Sequence, residues 1–195
     1  MAGLLIILAS PKPGRCWFKV MHDTKVKLSD VVERHTLTVL VDNEAGVLAR
    51  VVGLFSGRGY NIESLTVAEV DPMARTSRIT IVTSGTPQVI EQIEAQLGRL
   101  VVTHKVTNWT AAEAGIEREM ALVKVAGTGE KRVEALRMAD AFRARPVDTT
   151  HASFVFEITG NPAKIDSFIE LMRPLGLVDI SRTGVAAISR GPEAM

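Results

Sequence analysis

From His35 to Asp42 the chain reads HTLTVLVD, with Leu37, Val39 and Val41 alternating against Thr36, Thr38 and Leu40. Period-two alternation of this kind predicts a strand. The period then changes. Val47, Leu48, Val51, Val52 and Phe55 fall at helical spacing and make one apolar stripe, and Gly57 and Gly59 end that helix. Asn61 to Val70 and Thr76 to Ser84 are again β-rich, with Asp71-Pro72 as a turn between them. Thr86-Pro87 supplies a cap residue and a proline suited to a first helical turn. Val89, Ile90, Ile93 and Leu97 form the buried face of that second helix, and Val101 to Asn108 predicts a fourth strand.

The order is βαββαβ, and the second half repeats it. Met120 to Ala126 predicts a strand. Gly129 to Arg143 predicts a helix with Leu136, Ala139 and Phe142 inward. Pro146 to Thr150 and Phe154 to Thr159 predict two more strands. Ile165, Phe168, Ile169 and Met172 mark the buried face of the last helix. Ser84-Gly85-Thr86-Pro87 and Thr159-Gly160-Asn161-Pro162 share one punctuation: strand end, glycine, cap, proline. The expected fold is α+β, two tandem ferredoxin-like βαββαβ domains. The expected boundaries are a tail over 1–33, a first domain over 34–110, a linker over 111–117 (from the small residues AAEAG) and a second domain over 118–195.

Composition narrows the partners. The chain has 195 residues, 46% hydrophobic and 23% charged, with a net charge of +1. No electrostatic footprint for nucleic acid or an anionic membrane is visible. Cys16 is the single cysteine, so no intrachain disulfide forms, and a reducing cytoplasm is expected. It reads as an incidental thiol, because no activating neighbour is apparent. Leu4 to Ala9 is apolar but too short to span a bilayer, and no basic residue precedes it as a signal peptide requires. Met21 opens a polar stretch and is the expected natural start, with residues 1–20 a gene-start artefact or a dispensable tail.

The chemistry on offer lies in Asp42-Asn43-Glu44-Ala45-Gly46, directly before the first helix. A helix start presents unsatisfied N–H groups and a partial positive charge, which suits a carboxylate. The N–H groups of Gly46, Val47 and Leu48 are the expected donors. Asn43 and Asn61 offer amides to an ammonium or carboxylate, and Leu48 and Ile62 offer apolar surface. From spacing alone, Gly46 reads equally as a turn glycine, Asn43 as a turn cap, Asn61 as a strand-end hydrogen bonder, and Leu48 and Ile62 as ordinary core. Asp42 and Glu44 lack a histidine close in sequence and read as solvated or ammonium-facing carboxylates rather than an acid/base pair. His22, His35, His104 and His151 are scattered without metal spacing. Gly127-Thr128-Gly129 lacks the residues of a phosphate loop and reads as a strand-to-helix turn. Arg132, Arg137, Arg143 and Arg145 read as a solvated face. The implied activity is capture of a small zwitterion, not its conversion.

DNEAGVLARV followed by FSGRGYNIESLTVA resembles the start of an ACT domain. With SRITIVTSGTPQVIEQIEAQLGRL, REMALVKV and RTGVAAISRG, the resemblance runs from about Arg34 to Gly191 and narrows to the small regulatory subunit of acetolactate synthase (acetohydroxyacid synthase). It implies a non-catalytic subunit that pairs as a homodimer through its ACT domains, docks on the catalytic large subunit, activates it, and confers feedback inhibition by L-valine. It moves Asn43, Gly46, Val47, Leu48, Asn61 and Ile62 toward effector binding. It implies no cofactor on this chain, with thiamine diphosphate, Mg and FAD on the catalytic partner. Arg182 and Arg190 become docking candidates on the same ground. The alternative is an ACT-domain sensor serving another enzyme or acting alone.

Two other uses of this fold are disfavoured, since fold alone does not decide. An RNA-recognition module needs stacking aromatics on its central strands, and Thr36 to Val41 and Arg78 to Thr83 contain none. An acylphosphatase-like enzyme needs a cationic cradle after the first strand, and here that loop is acidic.

Overall fold

The computed structural model describes residues 31–112 and 115–192. The first unit runs β1 (Glu33–Asp42), α1 (Val47–Ser56), β2 (Ser64–Asp71), β3 (Thr76–Gly85), α2 (Pro87–Leu97) and β4 (Thr103–Asn108), followed by the short helix α3 (Trp109–Ala112). The second runs β5 (Gly115–Ala126), α4 (Glu130–Ala141), β6 (Arg145–Thr149), β7 (Ser153–Gly160), α5 (Pro162–Met172), a 3₁₀ turn and β8 (Leu177–Arg182). A last strand, β9 (Ala186–Ser189), pairs with the first residues of β5.

Both units are βαββαβ. Their sheets have matching strand order, β2-β3-β1-β4 and β6-β7-β5-β8. The match extends to detail. The central strand of each unit carries one register shift against its last strand, at Leu40/Val41 in β1 and at Lys124/Val125 in β5. The α+β reading from the hydrophobic pattern therefore holds in both halves.

Each core lies between one sheet face and two helices. Leu37, Val39, Val41, Ile79 and Ile81 meet Val47, Val51 and Phe55 of α1 and Ile90, Ile93 and Leu97 of α2. In the second unit, Val123, Val125, Phe156 and Ile158 meet Ala135 and Ala139 of α4 and Ile165, Phe168, Ile169 and Met172 of α5. Phe168 packs edge-on against Phe156, ring centroids 6.3 Å apart.

Several local expectations change. Val101 is 99% exposed, in the turn before β4, so the fourth strand opens at Thr103. Asn61, Ile62 and Glu63 precede β2 rather than opening it. Leu136 faces solvent, and the smaller Ala135 takes the buried place beside Ala139. Thr36 and Thr38, on the face opposite Leu37, Val39 and Val41, are buried as well. Trp109 explains Thr38: its indole Nε1 donates to Thr38 Oγ1 at 2.7 Å, and its ring is buried. The expected 111–117 linker is largely structured, since α3 runs to Ala112 and β5 begins at Gly115. Gly115 must be a glycine in this place, because a Cβ there would come within 2.8 Å of the Trp109 Cβ. Most of the expected N-terminal tail, residues 1–30 with the proposed start at Met21, lies outside the described residues.

Candidate functional site

The loop between β1 and α1 is fixed from both sides. Asn43 N–H donates to the Arg75 carbonyl at 2.7 Å, and Asn43 Nδ2 donates to Glu69 Oε1 at 3.0 Å. Asp42 does have a histidine neighbour: His104 Nε2 lies 2.7 Å from its Oδ1. The two are 62 positions apart, and antiparallel pairing of β4 with β1 brings them together. Both are solvent-exposed, so the contact contributes little to stability. Glu44 is exposed and lends its carbonyl to Val47 N–H at 3.4 Å.

Gly46 caps α1 with φ 84 and ψ −2, in the left-handed region. No side chain caps this helix, and no acid stands in its first turn. Val47 N–H is already turned to the Glu44 carbonyl, so the N–H groups that follow it in the first turn are the ones left to solvent or a ligand. The space before Gly46 is open, because a Cβ built there meets no atom within 4 Å. Val47 turns its side chain into the core, and its N–H is turned to the Glu44 carbonyl. Leu48 is 41% exposed beside the opening.

Asn61 and Ile62 stand elsewhere. The Asn61 carbonyl accepts a 2.6 Å hydrogen bond from Thr83 Oγ1, and Thr83 pairs with His35 at the start of β1. Asn61 itself is exposed, while Ile62 packs against the edge of the first core. The loop Asn43–Leu48 follows Asp42 at the opposite end of the same strand. Seven residues separate His35 from Asp42, about 23 Å of extended chain. One protomer therefore does not bring Asn43, Gly46, Val47 and Leu48 together with Asn61 and Ile62.

The junction between the units holds groups that the linear pattern does not reveal. Val185 N–H donates to Ser64 Oγ at 3.2 Å, and Thr66 Oγ1 donates to the Thr183 carbonyl at 3.4 Å. Between them lies Gly184, at φ 84, where a Cβ would come within 2.7 Å of both hydroxyl oxygens. Beside it Arg182 grips buried Glu119 with two bonds of 2.6 Å and reaches Asp166 at 2.7 Å. The hydrogen bonds to Glu119, then to Asp166, hold the guanidinium above its ordinary pKa against the opposing effect of burial. These groups and Glu63, which accepts from Ser84 and Arg34, line a cavity of about 590 Å³. Its charges are largely paired internally, so Arg182 is a structural residue more than a free docking cation. A glutamate at position 119, in an apolar strand pattern, is the one hint the sequence offers.

Relatives decide the family. The family described as "Small subunit of acetolactate synthase" matches residues 118–191, and the family "AHAS small subunit-like ACT domain" matches residues 37–105. The chain belongs to the acetolactate synthase small-subunit family. A "Probable acetolactate synthase small subunit" of Archaeoglobus fulgidus is 47% identical over 158 residues, 81% of this chain and 98% of that one. The Haemophilus influenzae acetolactate synthase small subunit is 46% identical over 159 residues, 81% of this chain and 96% of that one. The crystal structure of the Thermotoga maritima small subunit superposes with a TM-score of 0.73 at 37% identity, covering 83% of this chain and 99% of that chain. In this small-subunit family member the ACT domain carries the uncapped helix start.

The remaining chemistry is sparse. Among the described residues, no three His, Cys, Asp or Glu side chains converge as a metal site requires. No helix among them is long and apolar enough to cross a membrane. Gly129, at φ 59, forms the strand-to-helix turn read from the sequence. Arg132 is not part of a solvated face, since its guanidinium lies 3.8 Å from the centre of the Phe154 ring. Arg137 and Arg145 pair with Glu134 and Glu157.

Proposed function

We propose that this chain is the non-catalytic regulatory subunit of acetolactate synthase, acting in the cytoplasm. It docks on the thiamine-diphosphate catalytic subunit, raises its activity, and senses L-valine in a pocket shared by two ACT domains. Pyruvate condensation and its cofactors, thiamine diphosphate, Mg and FAD, belong to the catalytic partner in this reading. The observation that carries it is the separation of the two halves of the site. The open, uncapped start of α1 at Gly46 suits the α-carboxylate, and Asn61 with Ile62 stands at the other end of the sheet.

A two-fold axis beside α1 resolves that separation. With that axis perpendicular to α1, the two helices run antiparallel, so the α1 start of one protomer meets the Asn61 loop of its partner. The exposed face of α1 suits such a neighbour: Leu48, Ala49 and Gly53 are all exposed there. Helix N–H groups and the Asn43 backbone region take the carboxylate end. The Asn61 amide takes the ammonium, and Leu48 and Ile62 of facing protomers enclose a short branched side chain.

Inhibition requires valine to favour one conformation of the assembly, with a coupling of about 1–3 kcal/mol. The test is calorimetric titration of the full chain with L-valine, with glycine and L-arginine as controls. Saturable valine binding that is lost in Asn61→Ala supports the reading. Valine binding that survives Asn61→Ala, or its absence both alone and with the catalytic subunit, overturns it.

A further inference from the structure

The outer face of the first sheet, away from α1 and α2, is partly roofed by the two-stranded ribbon of β5 and β9. Between sheet and ribbon lies a groove of about 350 Å³. Ala68, Val70, Ile116 and Ile188 give it apolar walls. Arg78 enters from β3 and Arg118 from β5.

The two arginines are the informative pair. Neither has a carboxylate within ion-pair distance among the described residues, and what sets them apart from other such arginines is that both line one apolar groove, from facing elements. Arg78 Nε is buried and has no hydrogen-bond acceptor. Buried donors almost always find acceptors in a folded protein, and Arg78 as a whole is half-buried, at the boundary of groove and solvent. An unpaired guanidinium facing an apolar groove therefore marks a place for an anion that the chain itself does not supply.

The groove also limits what that anion is. Its volume lies near the lower end of small-molecule sites and does not admit a helix. Most of its wall is aliphatic, which disfavours a free phosphate or a sugar phosphate with its hydration shell. An α-ammonium between two guanidiniums is repelled, which disfavours an amino acid. We infer that this groove binds a small aliphatic monocarboxylate, its carboxylate on Arg78 and Arg118 and its hydrocarbon between Val70, Ile116 and Ile188. The inference is independent of the valine pocket, which involves other residues at the ends of β1.

The test uses the full chain carrying Gly46→Asp, so that the effector pocket does not contribute. The probe is 3-methylbutanoate, titrated by calorimetry, with inorganic phosphate and L-valine as comparators. Saturable binding of 3-methylbutanoate is expected, weakened at least about tenfold by Arg78→Gln. Arg118→Gln and Ile188→Asp, at two exposed positions, are expected to weaken it similarly in a chain that still folds. A Kd weaker than about 10 mM, equal binding of phosphate, or unchanged binding in both Arg118→Gln and Ile188→Asp would overturn the inference.

Discussion

Ser64 Oγ accepts a hydrogen bond from the backbone N–H of Val185, 121 positions later in the chain. Ser64 opens β2 three residues after Asn61, and Val185 leads into β9. One half of the proposed effector pocket is thus tied directly to the C-terminal unit. Ser64 and Thr66 thus connect the strand that follows the Asn61 loop to the second unit without passing through either core.

Gly184 makes that tie sensitive to substitution. Its φ of 84 disfavours any side chain, and an added Cβ collides with the Ser64 and Thr66 hydroxyls. Gly184→Ala is expected to cost about 1–2 kcal/mol of stability and to loosen the tail. In the reconstituted synthase, valine should still bind the variant while its inhibition weakens. Paired calorimetry and activity assays read the two effects separately.

Glu119 and Arg182 form the most buried ion pair of the second unit among the described residues. The Glu119 side chain is only 3% exposed. Arg182→Ala leaves that carboxylate buried without its cation, and thermal or urea unfolding should show a loss of about 3 kcal/mol. The double variant Glu119→Leu with Arg182→Leu should recover much of it. The pH sign follows from Arg182, whose pKa is raised on folding. Its contribution is fully present below the ordinary arginine value and is lost only in strongly alkaline solution. No loss of stability from this pair is expected between neutral and mildly alkaline pH.

Trp109 closes the second face of the first sheet, and its indole hydrogen-bonds to Thr38. Trp109→Phe keeps an aromatic ring but removes the 2.7 Å bond and leaves the Thr38 hydroxyl only its 3.5 Å contact with Thr80 Oγ1, at a cost of about 1 kcal/mol. Adding Thr38→Val together with Thr80→Val removes both facing hydroxyls and should return part of that loss in the same unfolding assay.

Gly46→Asp tests the carboxylate end of the pocket. The space before Gly46 admits a side chain, and aspartate tolerates the left-handed backbone better than most residues. The fold should therefore persist. A resident carboxylate then repels that of the effector, and valine affinity should fall at least about tenfold. Gly46→Asn, with the same size and no charge, should lose less.

Much of this was legible in the chain itself. Alternation in Leu37, Val39 and Val41, and the helical stripe of Val47, Val51 and Phe55, marked the first core, because local period reports directly which face is buried. The four apolar positions of α5 were equally clear. What escaped depends on distant segments. His104 meets Asp42 only through strand pairing, and Thr38 is covered by Trp109, 71 positions later in the chain. β9 is four residues long, too short for periodicity to register. Leu136 misled because it shares a helical face with Ala139, yet the narrow space under α4 admits Ala135 instead. The candidate site stands in the sequence as two separate signals, the loop before α1 and the Asn61-Ile62 pair. That they lie at opposite ends of β1 follows only from the register of the sheet.

Mixing two defective chains tests the shared pocket most directly. Gly46→Asp and Asn61→Ala homodimers each lack every intact pocket, but a heterodimer of the two rebuilds one pocket from the two unaltered halves. Unfolded together and refolded at equal amounts, the mixture should regain about a quarter of the wild-type L-valine sites by calorimetry, as random pairing of two-fold dimers requires. Recovery near that level would establish a pocket built from two protomers. A mixture that forms heterodimers and still binds no valine would contradict it, as would full binding by either variant alone.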